Sequence, residues 1–385
     1  MDRLPQQYFM ALLARVSAAA AEEGEPLVDL GRGNPEVGPP PHVVEALQRG
    51  AMRPEAHGYA PFSGLPQLKE AIAARYRDVY GVDVDPEREV AIVPGSKTAL
   101  MEFAIVAVER GETILLPDPG YADYPSAVAL AGARRASFTD FDDACGAALY
   151  LNFPSNPTAA CVPDGFFADT VRWAERTGAW VLHDFAYGDL VFGGREPQSF
   201  LAVERARDVG VELFSMSKSY GMAGWRLGFV LGNAELVSRI EELQDHIFAG
   251  IFRPVQEAGI AALTGPQESV EERRATYERR RDRALEALRD FHPQSEGTFF
   301  VWFRLPNGLT AERLLLEHRV VVAPGEGFGD RGAGYARVSL AVDDLLRRQR
   351  PVVEKRVRRP GRDRVSLTSQ DRTVKEFKTD QSGSP

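Results

Sequence analysis

The chain has 385 residues, of which 44% are hydrophobic and 26% charged, and its 46 basic and 55 acidic residues give a formal net charge of −9. A chain of this length can bury a large core and is expected to form two domains. The negative charge argues against nucleic-acid binding, since basic residues cluster only near the C-terminus. The two cysteines lack metal or redox spacing, and the sequence shows neither a signal peptide nor a membrane span, so we expect no metal site and a cytoplasmic location.

The N-terminal segment predicts a helix followed by a glycine-rich loop. Tyr8, Phe9 and Leu12 recur at helical spacing between Pro5 and about Glu23, which indicates an amphipathic helix that packs on another surface. The sequence Leu-Gly-Arg-Gly-Asn-Pro at 30–35 cannot continue a helix and indicates a loop that approaches another group closely.

The middle of the chain alternates strand and helix patterns. Short apolar runs followed by turn residues are typical of buried parallel strands, and they occur at 90–93, 113–116, 148–151, 180–183 and 212–214. Helical patterns lie between them at 96–109, 164–177 and 199–207. The series predicts an α/β unit with a mainly parallel sheet flanked by helices, in which ligands bind at the carboxyl ends of the strands.

The C-terminal part predicts a second, smaller α+β unit. Residues 229–231 indicate one more strand, 234–290 are mainly helical, and two strands of the smaller unit are expected at 297–303 and 335–340. Arginines then crowd the chain after Asp344, and this composition predicts a disordered tail. A solvated extension or non-native terminus is favoured over a tail that binds a polyanion.

The stretch from Ser215 to Gly228 contains residues suited to a covalent cofactor site. Lys218 stands among small hydroxyl residues just after a predicted strand, and Arg226 follows it. A Schiff-base lysine must be neutral enough to attack an aldehyde, while nearby cations and hydroxyls hold an anionic group. Ser215, Ser217 and Arg226 are therefore candidate phosphate ligands. The alternative is a surface lysine in a glycine-rich turn.

Asp184 ends another predicted strand, within His-Asp-Phe-Ala-Tyr. A carboxylate at that depth requires a cation, and a protonated pyridine nitrogen is such a cation. Asp184 would keep the ring protonated as an electron sink, and Tyr187 could donate to the ring oxygen. The alternative is that Asp184 is a helix N-cap.

Three further strand ends offer groups for the same ligand. Gly95, Ser96 and Lys97 follow a strand and open a helix, which is the geometry for binding phosphate with backbone N–H groups. Tyr121 could stack on a flat ring, and Asn156 could hydrogen-bond a ring hydroxyl. Each has a simpler alternative, namely a Gly-Ser turn, a core edge and an Asn-Pro turn. Taken together, the strand ends predict a binding site for a phosphorylated pyridine.

These motifs resemble those of the class I/II pyridoxal-phosphate-dependent aminotransferases. The stretch 215–228 is similar to the family's lysine signature, and the likeness extends from about Leu4 to Asp343. The other matching elements are residues 31–35, 58–64, 156–158, 184–187 and 336–339. The resemblance implies the aspartate-aminotransferase fold (fold type I), with a large domain built on a mainly parallel, seven-stranded sheet and a smaller α+β domain.

The resemblance also implies a domain division and an assembly. Residues 1–34 form an N-terminal arm and helix of the small domain, 35–285 the large cofactor-binding domain, 286–346 the rest of the small domain, and 347–385 the Arg-rich tail. Family members normally form homodimers with shared active sites, and their partners are amino acids and 2-oxo acids.

Each site residue acquires an implied role from the family. Lys218 carries pyridoxal 5′-phosphate as a Schiff base and moves the substrate proton, Asp184 pairs with the pyridine nitrogen, and Arg337 clamps the substrate α-carboxylate. The implied phosphate ligands are Gly95, Ser96, Lys97, Ser215, Ser217, Arg226 and the partner subunit's Tyr59. The implied ring contacts are Tyr121, Tyr187 and Asn156, and Gly33 and Asn156 assist at the substrate carboxylate.

Transamination is favoured over other reactions by the breadth of the likeness, which covers bacterial enzymes for aspartate, alanine, diaminopimelate and methionine salvage. The alternative is a lyase on the same fold that cleaves C–S bonds or catalyses β-elimination, because the protein selects which bond breaks. A sensor fused to a DNA-binding domain would need a longer segment before the glycine-rich loop. An inactive paralogue should lack Lys218, Asp184 or Arg337, and all three are present.

Three features depart from the family pattern. Ala159 stands where a glycine is usual after Asn-Pro-Thr, and the interval from Gly132 to Ala148 is short. Beyond Asp343, where further helix is expected, Pro351 interrupts a weak pattern. The small domain is therefore less securely predicted than the cofactor site.

Overall fold

The structure is a computed structural model that describes residues 4–22 and 26–341. The segment predicted as an Arg-rich tail, 347–385, lies outside the described residues. The helices are α1 (Tyr8–Ala21), α2 (Pro41–Ala51), α3 (Pro66–Arg75), α4 (Ser96–Ala107), α5 (Tyr124–Ala131), α6 (Phe166–Thr177), α7 (Ala206–Val209), α8 (Met216–Ser219), α9 (Ala234–Ile247), α10 (Arg253–Thr264), α11 (Glu268–Ala287) and α12 (Ala311–His318). The strands are β1 (Val28–Asp29), β2 (Val90–Val93), β3 (Thr113–Leu116), β4 (Arg134–Ser137), β5 (Ala148–Asn152), β6 (Trp180–Asp184), β7 (Gly210–Ser215), β8 (Gly228–Gly232), β9 (Phe300–Arg304), β10 (Val320–Val321), β11 (Ala323–Pro324) and β12 (Tyr335–Ser339).

The large unit is built on a seven-stranded sheet of order β2-β8-β7-β6-β5-β3-β4. The five strands from β7 to β4 are parallel, and β8 runs antiparallel to both of its neighbours. The predicted mainly parallel α/β sheet is confirmed. Strands β5 and β7 are buried at every residue, because helices cover both faces of the sheet.

Two strands of this sheet differ from the sequence-based expectation. Strand β2 points in the same direction as the five parallel strands, as expected for 90–93, but it pairs with the reversed strand β8 and therefore in antiparallel register. Strand β4 was missed because its Arg-Arg-Ala-Ser sequence is exposed and carries no apolar pattern. An edge strand of this kind is stabilised by its backbone pairing with β3 rather than by side-chain burial.

The predicted helix at 199–207 is wrong as a continuous element. The segment forms a short 3₁₀ turn at Phe200–Ala202 and then α7, with Arg205 between them in the left-handed region at φ 65°. The turn is fixed from outside the segment, since Glu212 accepts the Phe200 N–H at 2.8 Å. The predicted helical stretch 234–290 consists of three helices, α9, α10 and α11.

The smaller unit contains the antiparallel sheet β11-β12-β9, and β1 pairs with β10 in parallel. Val28 and Leu30 share one buried cluster with Phe299 and Val338, so the N-terminal segment packs with the C-terminal strands. Within 4–22 and 26–341 no helix is long and apolar enough to cross a membrane. In the same residues no group of His, Cys, Asp and Glu could hold a metal ion.

Candidate active site

Lys218 lies in the one-turn helix α8, directly after β7. Ser215 begins this turn, because its Oγ accepts the Ser217 N–H at 3.3 Å. The Lys218 Nζ donates to the Gly33 carbonyl at 3.1 Å and lies 5.8 Å from the ring centroid of Tyr187. No carboxylate among the described residues forms an ion pair with it. The predicted glycine-rich loop at the N-terminus thus closes over the lysine.

The Lys218 amine is surrounded by features that disfavour its charge. Burial, together with the cations Arg337 and Arg226, lowers its pKa to about 8 against the opposing effect of Asp184. A larger fraction of this amine is neutral at pH 7 to 8 than for an ordinary lysine. The environment therefore suits a nucleophile.

Asp184 stands at the end of β6 with its carboxylate buried. Its Oδ2 accepts the Tyr124 hydroxyl at 2.9 Å, and its Oδ1 accepts the Ala186 N–H at 3.2 Å. Asn152 Nδ2 donates to the Asp184 carbonyl at 2.8 Å. No helix begins here, since the next residues form a turn, which argues against the N-cap alternative. Burial raises the pKa of Asp184, so a cationic partner such as a pyridinium would stabilise its charged form.

Gly95 and Arg226 form one end of the site. Gly95 has φ 87° and precedes α4, and a Cβ added to it would lie 2.2 Å from Nη2 of Arg226. Only a glycine leaves room for the guanidinium at this place. Arg226 Nη1 donates to the Ala223 carbonyl at 2.9 Å, and no described carboxylate pairs with it. A helix N-terminus beside an unpaired arginine is suited to a phosphate.

Three further phosphate candidates stand on the elements that meet here, and the side chain of a fourth is directed elsewhere. Ser215 pairs with Gly228 across β7 and β8, and Gly228 lies against the Cα of Gly95. Ser96 opens α4 and Ser217 lies in α8. The Lys97 side chain, however, forms an ion pair with Asp123 at 3.0 Å. Lys97 can therefore contribute its backbone N–H, whereas its amine is already engaged.

Arg337 on β12 is 1% exposed and has no carboxylate partner among the described residues. Its Nη1 donates to Asn156 Oδ1 at 2.6 Å and its Nη2 to the Gly31 carbonyl at 3.3 Å, while its Nε has no hydrogen-bond partner. Burial lowers its pKa to about 10. A buried guanidinium without a counterion is costly, and a carboxylate of the substrate would supply the missing charge.

Aromatic rings enclose Arg337 and the space beside Lys218. The Arg337 guanidinium lies 3.9 Å from the ring centroid of Phe300, 4.8 Å from that of Phe328 and 5.8 Å from that of Phe9. The Tyr187 ring packs edge-on against Phe300. The charged groups of the site therefore lie in surroundings that exclude water and strengthen their interactions.

The remaining predicted residues lie at different places. Tyr121 is partly buried, with its ring 6.2 Å from that of Phe9. Burial together with the nearby Asp123 carboxylate raises the pKa of its hydroxyl. Tyr59 is 86% exposed and contacts the ring of Phe62. It is not brought into the site within a single chain.

Sequence reasoning missed several residues of the site. Tyr124 and Asn152 hold Asp184, and both stand close in sequence to predicted site residues, so their positions at the start of a helix and the end of a strand were usable signals. Phe9 and Phe328 are far apart in the sequence and form part of one aromatic cluster. No local pattern indicates such a contact.

The residues present fit a phosphorylated pyridine aldehyde. Lys218, Arg226 and Arg337 bring positive charge to a site whose nearby carboxylate is Asp184. The absence of a side chain at Gly95 leaves room for the Arg226 guanidinium, and the Nε of Arg337 has no hydrogen-bond partner. The donor set therefore matches a ligand with a phosphate at one end and a carboxylate at the other.

Comparison with known proteins agrees with this geometry. The family described as aminotransferase class I and II matches residues 25–347. The L-glutamine–4-(methylsulfanyl)-2-oxobutanoate aminotransferase of Bacillus subtilis is 43% identical over 89% of this chain and 92% of its own length. The glutamate-pyruvate aminotransferase AlaC of Escherichia coli is 38% identical over 88% of each chain. The substrate-bound BacF structure from Bacillus subtilis superimposes with a TM-score of 0.85 at 37% identity, covering 91% of this chain and 95% of that one.

The match spans most of the chain and includes every strand of the seven-stranded sheet. The curated relatives are named as aminotransferases, and members of the family use pyridoxal 5′-phosphate. The chain belongs to the class I and II aminotransferases and is a pyridoxal-phosphate-dependent transaminase.

Proposed function

We propose that this enzyme transfers the α-amino group of an L-amino acid to a 2-oxo acid in a ping-pong reaction, with Lys218 as the residue that binds pyridoxal phosphate as a Schiff base. The observation that carries this proposal is that one site contains both Lys218, whose pKa is lowered, and Arg337, which is buried without a counterion among the described residues. The cofactor supplies an electron sink for the carbanion at the substrate Cα. Residues of the protein bind the cofactor and the substrate and move the proton.

Lys218 is proposed to act twice. Its neutral amine would hold the cofactor as a Schiff base, and once substrate has released it the same amine would accept the proton from the substrate Cα and deliver it in the next proton transfer. The low pKa serves both tasks, because an amine with a pKa of about 8 can lose and gain a proton at physiological pH. The hydrogen bond to the Gly33 carbonyl shows one position that the freed amine can adopt.

Asp184 is proposed to hold the pyridine nitrogen in its protonated form. The donors Tyr124 and Ala186 keep the carboxylate in place and favour its charged state against the effect of burial. Tyr187 and Asn156 are proposed to contact the ring oxygen, and Tyr121 to stack on the ring. These roles agree with the burial of Asp184, Asn156 and Tyr187.

Gly95, Ser96, Lys97, Ser215, Ser217 and Arg226 are proposed as the phosphate ligands, with Lys97 acting through its backbone. The argument rests on the helix N-terminus at Ser96 and on the close approach of Arg226 to Gly95.

Arg337 is proposed to bind the α-carboxylate, assisted by Gly33 and Asn156. The contacts recorded around its guanidinium are aromatic rings and neutral oxygens. These surroundings favour substrates whose side chains are neutral or apolar. The Bacillus subtilis relative named for L-glutamine and a methylsulfanyl oxo acid supports such a donor and acceptor pair for this enzyme.

A homodimer with shared sites is proposed on the basis of an exposed apolar patch. Exposed large side chains lie on two neighbouring segments of the large unit, and they are Met52, Tyr59, Phe62, Ile247 and Phe252. Gly250 packs against the Pro61 carbonyl, so the two segments form one surface. Apolar area of this kind is typical of an interface, and the partner subunit's Tyr59 would then reach the phosphate.

The domain division proposed for this chain is 1–34 and 286–346 for the small domain and 35–285 for the large one. It is supported by the buried cluster that Val28 shares with Phe299. Helix α11 links the two domains, because Val270 packs in the core of the large domain and Ala284 in the core of the small domain. A cytoplasmic location is also proposed, because Cys145 and Cys161 are both free thiols.

The proposed reaction is tested by following the nitrogen. The holoenzyme is incubated with L-glutamine labelled with ¹⁵N at the α-amino group and with 4-(methylsulfanyl)-2-oxobutanoate, and the products are analysed by mass spectrometry. Transamination predicts ¹⁵N in methionine. Release of ¹⁵N ammonia without labelled methionine, across a panel of neutral donors, would contradict the proposal.

A further inference from the structure

A buried histidine and glutamate lie beneath the site and have no role in the reaction as proposed. His183 on β6 and Glu212 on β7 are opposite one another in the parallel pairing, and both are 0% exposed. His183 Nδ1 lies 2.8 Å from Glu212 Oε2, and His183 Nε2 lies 3.0 Å from the Phe153 carbonyl oxygen. Their charge state can be deduced from their hydrogen-bond partners.

Glu212 has four donors around its two oxygens. Oε1 accepts the hydroxyls of Tyr76 and Ser199, each at 2.9 Å, and Oε2 accepts the Phe200 N–H at 2.8 Å together with the His183 ring. A carboxylate has about four acceptor positions, so this set saturates it. A protonated Glu212 could donate its proton only to His183, whereas the Tyr76 and Ser199 hydroxyls and the Phe200 N–H all stabilise negative charge on its oxygens. These three donors therefore favour the carboxylate form.

His183 then has acceptors at both ring nitrogens. The Glu212 carboxylate and the Phe153 carbonyl can only accept, and a neutral imidazole has a single N–H. A neutral ring would set a lone pair against an oxygen on one side. Rotating the ring by a half-turn would place two carbons at these oxygens and lose both contacts. Only the imidazolium, with two N–H groups, satisfies both contacts.

We infer that His183 is a buried imidazolium paired with the Glu212 carboxylate. This ion pair positions the segment 153–156, so that Asn156 lies within hydrogen-bond distance of Arg337. The pair has no net charge, which makes its burial tolerable when every hydrogen bond is formed. The positioning role rests on the proposed function, whereas the charge state does not.

The path from the pair to the substrate site is short. His183 holds the Phe153 carbonyl, and Asn152 Oδ1 accepts the Asn156 N–H at 2.7 Å, so the segment is fixed at both ends. Asn156 Oδ1 then accepts from Arg337 at 2.6 Å. His183 is a positioning residue, because it acts on the substrate carboxylate only through Asn156 and Arg337.

The same cation acts on Asp184, its neighbour in β6. The positive charge of His183 favours the Asp184 carboxylate and opposes the effect of burial on its pKa. The titratable groups around the pair include Tyr76, whose hydroxyl pKa is raised by burial and by Glu212, and Tyr80, whose hydroxyl pKa is raised by burial and by Asp189. The Arg75 guanidinium opposes both shifts. Neither phenol therefore competes for the proton of the pair.

The charge state is tested by ¹⁵N NMR of the holoenzyme labelled at its six histidines. The signal of His183 should show a proton on both ring nitrogens at pH 7. His183→Asn should remove that signal. If His183→Asn does not fold, replacing the five other histidines by glutamine one at a time gives the same assignment. A His183 signal with a single protonated nitrogen at pH 7 would overturn the inference.

The positioning role is tested in the same preparations by kinetics. His183→Asn should raise KM for the amino donor by about tenfold or more, with a smaller fall in kcat, because the carboxylate contact is displaced. Ser199→Ala is the matched control: it removes one hydrogen bond from Glu212 and should lower stability without this KM change. Unchanged KM in folded His183→Asn would refute positioning, even if the NMR confirms the imidazolium.

Discussion

Arg337 on β12 donates a hydrogen bond of 2.6 Å to Asn156, which follows β5 of the large sheet. A side chain from the smaller unit and one from the larger unit are thereby joined at the place where the substrate carboxylate is proposed to bind. The site is consequently complete only when the two units hold this arrangement.

Arg337→Lys is expected to raise KM for the amino donor by about 10²-fold. Lysine keeps the positive charge but loses the planar pair of donors that binds a carboxylate in a bidentate manner. Steady-state kinetics over a range of donor concentrations measures the effect. Arg304→Lys on the adjacent strand β9 is the matched control, because Arg304 is exposed, and it should behave as the wild type. An equal KM in both variants would argue against the clamp.

Asp184→Asn is expected to lower kcat by about 10²- to 10⁴-fold while the cofactor is still bound. The amide can accept from Tyr124 but carries no charge to keep the pyridine nitrogen protonated. Tyr124→Phe keeps the carboxylate and loses one hydrogen bond, so its kcat should fall by about tenfold at most. Stopped-flow measurement of the first half-reaction distinguishes the two variants. A rate for Asp184→Asn close to that for Tyr124→Phe would contradict the role of the charge.

Cofactor capture by the cofactor-free protein is expected to accelerate with pH and to level off above about pH 8. The neutral Lys218 amine is the reactive form, and the pKa of this amine is lowered to about 8. Arg337→Gln removes a nearby cation and should move the midpoint to higher pH. The rate is followed by absorbance after mixing with pyridoxal phosphate, and a midpoint near the ordinary lysine value of about 10.4 in the wild type would refute the prediction.

Glu102→Gln is expected to stabilise the protein at pH 8 by about 2–3 kcal/mol. Glu102 is buried on α4, where Gln244 is its hydrogen-bond partner, and burial raises its pKa to about 7. The folded protein therefore retains a proton that the unfolded chain releases above about pH 4.5, so stability falls as the pH rises from 4.5 to 7.

Urea unfolding at several pH values measures this slope. It should be reduced in Glu102→Gln and unchanged in Glu87→Gln, since Glu87 is exposed. Identical slopes in the two variants would show that Glu102 is not the titrating group.

Much of the fold and of the site was predictable because the relevant signals are local. The apolar runs of β3, β5, β6 and β7 are followed by their functional residues within a few positions, and the topology of a parallel sheet brings such ends together. Lys218 and Asp184 were found in this way. Arg337 came from the family resemblance, and its burial without a counterion supports that assignment.

The rest depends on contacts between distant residues. The contact between Phe9 and Phe328 and the edge strand β4 have no local pattern that indicates them. Ala159 is a different case, since the sequence showed the missing glycine but not its consequence. The residue is left-handed at φ 57° and buried, a conformation that costs an alanine about 1–2 kcal/mol.

The central claim is that Lys218 binds the cofactor, and borohydride reduction of the purified holoenzyme tests it most directly. Reduction makes the link permanent, so that proteolysis and mass spectrometry locate the pyridoxyl group. We expect it on the peptide containing Lys218, in the wild type and in the Lys97→Ala control, and we expect none in Lys218→Ala. A pyridoxyl group on another lysine, or no modified peptide from protein saturated with cofactor, would contradict the account.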